Sequence, residues 1–89
     1  LNGDALAIKM IENGAYSQAL IRLEKLINNK KNDNKSSENY YLQGVVAEVQ
    51  GDFVMALQKY NNALILDNEN EIIIGALQRI EKVLKVRKA

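Results

Sequence analysis

One pattern appears twice in this chain, 37 residues apart. Gly14, Tyr16, Ala19 and Leu23 stand 37 residues before Gly51, Phe53, Ala56 and Tyr60. A fixed offset joining a glycine, an aromatic, an alanine and a large apolar residue marks stacked supersecondary units, none of which buries its apolar face alone. Such a chain builds a surface by stacking neighbours rather than a cleft for catalysis.

The local periodicity is helical. Ala56, Tyr60, Ala63 and Leu64 recur at four, three and then one residue, on one helical face, and Leu20, Leu23, Leu26 and Ile27 likewise share a face in the first copy. Gly14 and Gly51 suit the chain reversal after a helix, since glycine takes positive φ without penalty. Asp52 is placed to cap the helix that follows it, and Ser36 or Ser37 to cap the third helix, which holds Gly44. A small residue at Gly44, facing Ala56 and Ala63, lets two helix backbones approach closely. The pattern predicts an all-α fold with helices at about 3–13, 16–29, 37–50, 53–66 and 70–87. No stretch alternates long enough for a strand, and the chain has no proline to break a helix.

Residues 40–67 resemble the tetratricopeptide repeat. Tyr40 stands at that family's first aromatic position, Gly44 at its first small residue, Gly51 at its turn glycine and Phe53 at the aromatic opening its second helix; Ala56, Tyr60 and Ala63 follow at the family spacing. Gln43 departs from a preferred Leu, and Asn68 from a frequent Pro. In the first copy Ala7 replaces the Gly and Leu26 the last Ala, and the polar stretch Asn28–Ser37, expected to be a solvated connector, absorbs the extra length. The resemblance implies two antiparallel helix hairpins, 1–35 and 37–70, in a right-handed solenoid stack. A final helix, 70–88, covers the exposed seam through Ile73, Leu77, Ile80 and Leu84, or else opens a third repeat.

Composition excludes much chemistry. The 89 residues include no Cys and no His, which removes thiol nucleophiles, His-dependent triads and the usual zinc ligand sets. No glycine-rich phosphate loop occurs. Asp67, Glu69 and Glu71 alternate without the central Gly of a calcium loop and read as a helix start. An enzyme is not expected, nor a cofactor. One domain fits the length, burying about 60–65% of its unfolded surface. No apolar run is long enough to span a membrane. The chain opens on Leu1 rather than Met, as an excised or processed segment would. The compartment is left open, with the cytoplasm favoured.

The net charge of +1 hides a segregation. Residues 38–78 hold six acids and one base, whereas residues 79–89 hold five bases and one acid. Acids early and bases late in the last helix complement its dipole. A basic tail for nucleic acid is the sharper alternative, but no aromatics interleave the bases and nucleic acid is not expected.

By resemblance, the first helices of successive repeats line a concave face that takes a partner peptide or helix. The matching positions are Asp4, Ile8, Ile11 and Glu12 from the first copy and Tyr41, Val45, Glu48 and Val49 from the second, with Arg79 and Lys82 on the last helix. Tyr41 is singled out because only one of the neighbours Tyr40 and Tyr41 is expected to face the core. A clamp for a chaperone-tail carboxylate is not expected: Asp4, Ile8, Leu42, Ile72 and Ala76 occupy the positions that would carry its cations and amides. The expected function is a protein–protein interaction module or scaffold segment; the alternative is self-association as a structural segment of a larger protein.

Overall fold

The computed structural model describes residues 4–28 and 34–88. Five α-helices follow in chain order: α1 (Ala5–Glu12), α2 (Tyr16–Asn28), α3 (Asn34–Val49), α4 (Phe53–Leu66) and α5 (Glu71–Lys88). The fold is all-α, with no strand among the described residues. The main packing joins each helix to its neighbours in the chain.

The two glycine turns are built alike. After α1, the Ala15 N–H donates to the Met10 carbonyl at 2.8 Å and the Gly14 N–H to that of Ile11 at 3.1 Å, with Gly14 at φ +82°. After α3, Asp52 donates to Ala47 at 2.9 Å and Gly51 to Glu48 at 3.0 Å, with Gly51 at φ +84°. Both form the six-to-one, five-to-two pair of bonds that satisfies a helix's last carbonyls. They differ at the next step. The Asp52 carboxylate caps α4 by accepting from the Met55 N–H at 3.1 Å, whereas α2 follows Ala15, which has no side-chain acceptor. At α5 the cap is Asn70. Its Oδ1 accepts from the N–H groups of Ile72 (2.9 Å) and Ile73 (3.3 Å), and its amide donates to Asp67.

Two expectations are corrected here. Ser36 and Ser37 do not cap α3, which begins at Asn34 and carries both serines buried within it. Ser37 instead donates to the Ala63 carbonyl at 3.0 Å, near the end of α4. Gly44 does make room for α4, but the neighbour is Tyr60: a Cβ at Gly44 would lie 2.5 Å from two of its ring carbons. Ser37 meeting Ala63 while Gly44 meets Tyr60 sets α3 and α4 antiparallel.

The larger core gathers Ala47, Ala56, Tyr60 and Ala63 against Ile73, Ala76, Leu77 and Ile80 of α5. Fully burying a side chain such as Ile73 or Ile80 contributes about 1.5–3 kcal/mol. A smaller cluster joins Ala7, Leu23 and Leu42, edged by Ile8, Ile11 and Tyr41. In α2 the expected apolar face holds at Leu23, which is fully buried, but Leu26 at its end is exposed. A polar seam crosses between α2 and α3. Asn39 donates to the Leu23 carbonyl and Gln43 to Asn39, each at 2.9 Å. The buried Gln43 Oε1 has no partner among the described residues.

Candidate functional site

The candidate residues lie on α1, α3 and α5, and the structure sorts them by what already holds them. Asp4 is spent twice. Its carboxylate caps α1 by accepting from the Ala7 N–H at 3.2 Å, and it pairs with Arg22 of α2, whose Nη2 lies 3.2 Å from Oδ1 while Nε donates to Oδ2. The hydrogen bonds from Arg22 hold the Asp4 carboxyl below its ordinary value, and Asp4 in turn raises the Arg22 pKa.

Ile8, Ile11 and Tyr41 come together, half-buried, at the edge of the smaller cluster. Tyr41 also packs on the larger core, its ring centroid 5.6 Å from that of Tyr60. Tyr40 packs there too, with the Lys59 ammonium 5.9 Å from its ring centre, at the outer reach of a cation–π contact. Both tyrosines therefore meet the core, contrary to the expectation that one would turn away: α3 is flanked by α2 and α4, so a wide arc of its surface is covered. Val45 is half-buried against the larger core, whereas Glu12, Val49 and Lys82 are exposed, Val49 by 53%.

Glu48 ties three helices together. Its Oε1 accepts from the Tyr60 hydroxyl at 2.8 Å, and Arg79 grips both oxygens, at 2.7 and 2.8 Å. A two-pronged guanidinium–carboxylate pair is among the stronger and more directional charge contacts. The bonds from Arg79 hold the Glu48 carboxyl below its ordinary value despite partial burial. Burial, followed by the bond to Glu48, pushes the Tyr60 phenol up, and Glu48 raises Arg79. The group is a clamp of settled charges, with no proton poised to move near neutrality.

The spacing puts Glu48 and Arg79 on one face but does not reveal Tyr60 as a further partner of Glu48, or Arg22 as the partner of Asp4. The 37-residue offset held a usable signal: Arg22 stands 37 residues before Lys59. Each cation reaches back to the helix before it, Arg22 to its cap Asp4 and Lys59 to Tyr40 within it.

Among the described residues no cluster of carboxylates is arranged to hold a metal ion, and no helix is long and apolar enough to cross a membrane. No family model matches the chain, and no curated protein or solved structure is significantly similar to it.

Proposed function

We propose that the chain is a protein–protein interaction module of the tetratricopeptide kind. In this reading α1–α2 and α3–α4 are two repeats in a right-handed stack, α5 is the cap, and a partner peptide or helix lies across the face of α1, α3 and α5. The observation that carries it is the recurrence of structure, not just of letters, at 37 residues. Gly14 and Gly51 end their helices in the same left-handed turn, and Ala19 with Ala56, and Leu23 with Tyr60, are wholly buried. The face then has an apolar middle, Ile8, Ile11, Tyr41 and Val45, with Val49 open and the Glu48–Arg79 pair at one edge.

Because Tyr41 and Val45 also pack on the core, substitutions there would confuse binding with stability. Val49 is the cleaner probe. Peptides selected from a displayed library on the immobilised chain are measured by calorimetry against the parent, Val49→Asp and the exposed α4 control Gln58→Asp. Binding weakened by Val49→Asp and kept by Gln58→Asp supports the face; the reverse pattern refutes it.

Self-association is the second reading, favoured by Ile65, which is 77% exposed on α4. Sedimentation at several concentrations separates the two, since a constant monomer mass removes it. Nucleic-acid binding is weakened by the commitment of Arg79 to Glu48, which leaves Lys82 and Lys85 as the exposed bases of α5 with described side chains. A salt-independent affinity for DNA or RNA would dispose of it.

A further inference from the structure

We infer that Asn13–Gly14 is a modification site where the chain turns an amide into an acid without an enzyme, and that the folded α1–α2 turn restrains the reaction. The chemistry follows from the dipeptide. The Gly14 backbone nitrogen bonds to Cγ of Asn13, the Cγ–Nδ2 bond breaks, and ammonia leaves carrying the Gly14 amide proton. One water then opens the five-membered succinimide at either carbonyl, giving aspartate or isoaspartate. The balance is one water in and one ammonia out, with no redox change. Glycine favours the attack because it has no Cβ to obstruct the nitrogen.

Both residues are exposed, so water reaches them freely. The restraint lies in the backbone. The attacking N–H is donated to the Ile11 carbonyl at 3.1 Å, and the bonds Asn13 to Lys9 (3.0 Å) and Ala15 to Met10 (2.8 Å) lock either side. Asn13 sits at φ −90°, ψ 1°, which turns the Gly14 nitrogen away from Cγ and outside a near-attack geometry. Reaction therefore waits for the turn to open. The helix that must loosen is weakly anchored: α1 has eight residues, of which only Ala7 is fully buried. The second turn supplies a contrast. It has the same two closing bonds, but Gln50 stands where Asn13 does, and its longer side chain would have to close a larger ring.

The product undermines the turn that delayed it. A carboxylate at the C-terminal end of α1 opposes the helix dipole. Isoaspartate also routes the main chain through the side-chain carbon, lengthening a turn whose closing bonds span six residues.

The test ages the purified chain at mildly alkaline pH, below its melting temperature, in buffer and in denaturing urea. Trypsin cleavage after Lys9 and Arg22 isolates Asn13 in the peptide 10–22, apart from the other Asn–Gly pair at Asn2–Gly3. Mass spectrometry then follows conversion. Conversion at Asn13 should be on the order of tenfold or more faster in urea, the ratio given by a local opening free energy above about 1.4 kcal/mol. Asp4→Ala, which removes the α1 cap and the Arg22 pair, should speed the folded-state reaction severalfold, and Asn13→Gln should abolish the product. Should Asp4→Ala unfold the chain, urea below the unfolding transition replaces it, and the rate should climb with urea. Equal rates in buffer and denaturing urea, a folded-state rate unmoved by loosening α1, or no conversion at Asn13 in urea while Asn2 converts, would each overturn the proposal.

Discussion

Gly44 and Gly75 both sit inside helices, yet replacing each by alanine should act in opposite directions. A methyl at Gly44 would stand 2.5 Å from the fully buried ring of Tyr60, so something must shift, and overpacking of this kind costs about 1–3 kcal/mol. A methyl at Gly75, on the exposed side of α5, meets nothing within 4 Å, and the gain in helix propensity is about 0.5–1 kcal/mol. Urea midpoints check both; a destabilised Gly75→Ala or a neutral Gly44→Ala would contradict the packing described. The paired acids give a second test. The Asp4 and Glu48 carboxyls lie below their ordinary values of 3.8 and 4.5, each held chiefly by an arginine. A carboxyl lowered on folding stabilises above its ordinary value, and that contribution is lost as pH falls through the lowered one. The melting temperature should therefore drop as pH falls below 4.5. The drop should be shallower in Asp4→Asn combined with Glu48→Gln, and identical slopes would deny these acids the role. The smallness of Gly44 was legible in the sequence, but its partner was not. Periodicity tells which face a residue shares and is silent on which side chain of the facing helix fills the space.

Helix ends were read best where a residue type has one use. Gly14, Gly51 and Asp52 do what their chemistry suggests, and α4 occupies the span expected of it, 53–66. The start of α3 differs from the expected serine cap because serine has two uses. It caps helices, but within a helix its hydroxyl can also satisfy a distant carbonyl, as Ser37 does for Ala63. At α5 the alternating acids Asp67, Glu69 and Glu71 mark the helix start, yet the residue that caps it is Asn70, asparagine being among the best caps. Comparing the two turns exposes an uncorrected weakness: Ala15 occupies the place that Asp52 fills in the second copy. Ala15→Asp should stabilise the chain by about 0.5–2 kcal/mol, measured as a raised urea midpoint. An unchanged midpoint would mean that the first turn of α2 is already satisfied.

At the level of the molecule, α5 completes the larger core. Ile73, Ala76, Leu77 and Ile80 cover Ala47, Ala56, Tyr60 and Ala63, so deleting residues 70–89 exposes a broad apolar face of α3 and α4. The truncated chain should show reduced helical signal and a shallow, poorly cooperative melt in circular dichroism. A melt like the parent's would show that α5 adds little to the core. The apolar stripe of α5 and its exposed polar residues were legible from spacing, since Arg79, Glu81, Lys82 and Lys85 all lie in the open. The face of α1, α3 and α5 was legible only as a set of positions. Which of them remain available depends on partners that no spacing announces: Arg22 for Asp4, and Tyr60 with Arg79 for Glu48. The neighbour-to-neighbour packing has a mechanical consequence. Helices bound chiefly to those beside them in the chain pass a load mainly from each to the next, with the Glu48–Arg79 pair as a tie from α3 to α5. A pull on the two ends would free the lightly packed α1 early and meet its main resistance at α5, whose detachment opens the larger core of α3 and α4.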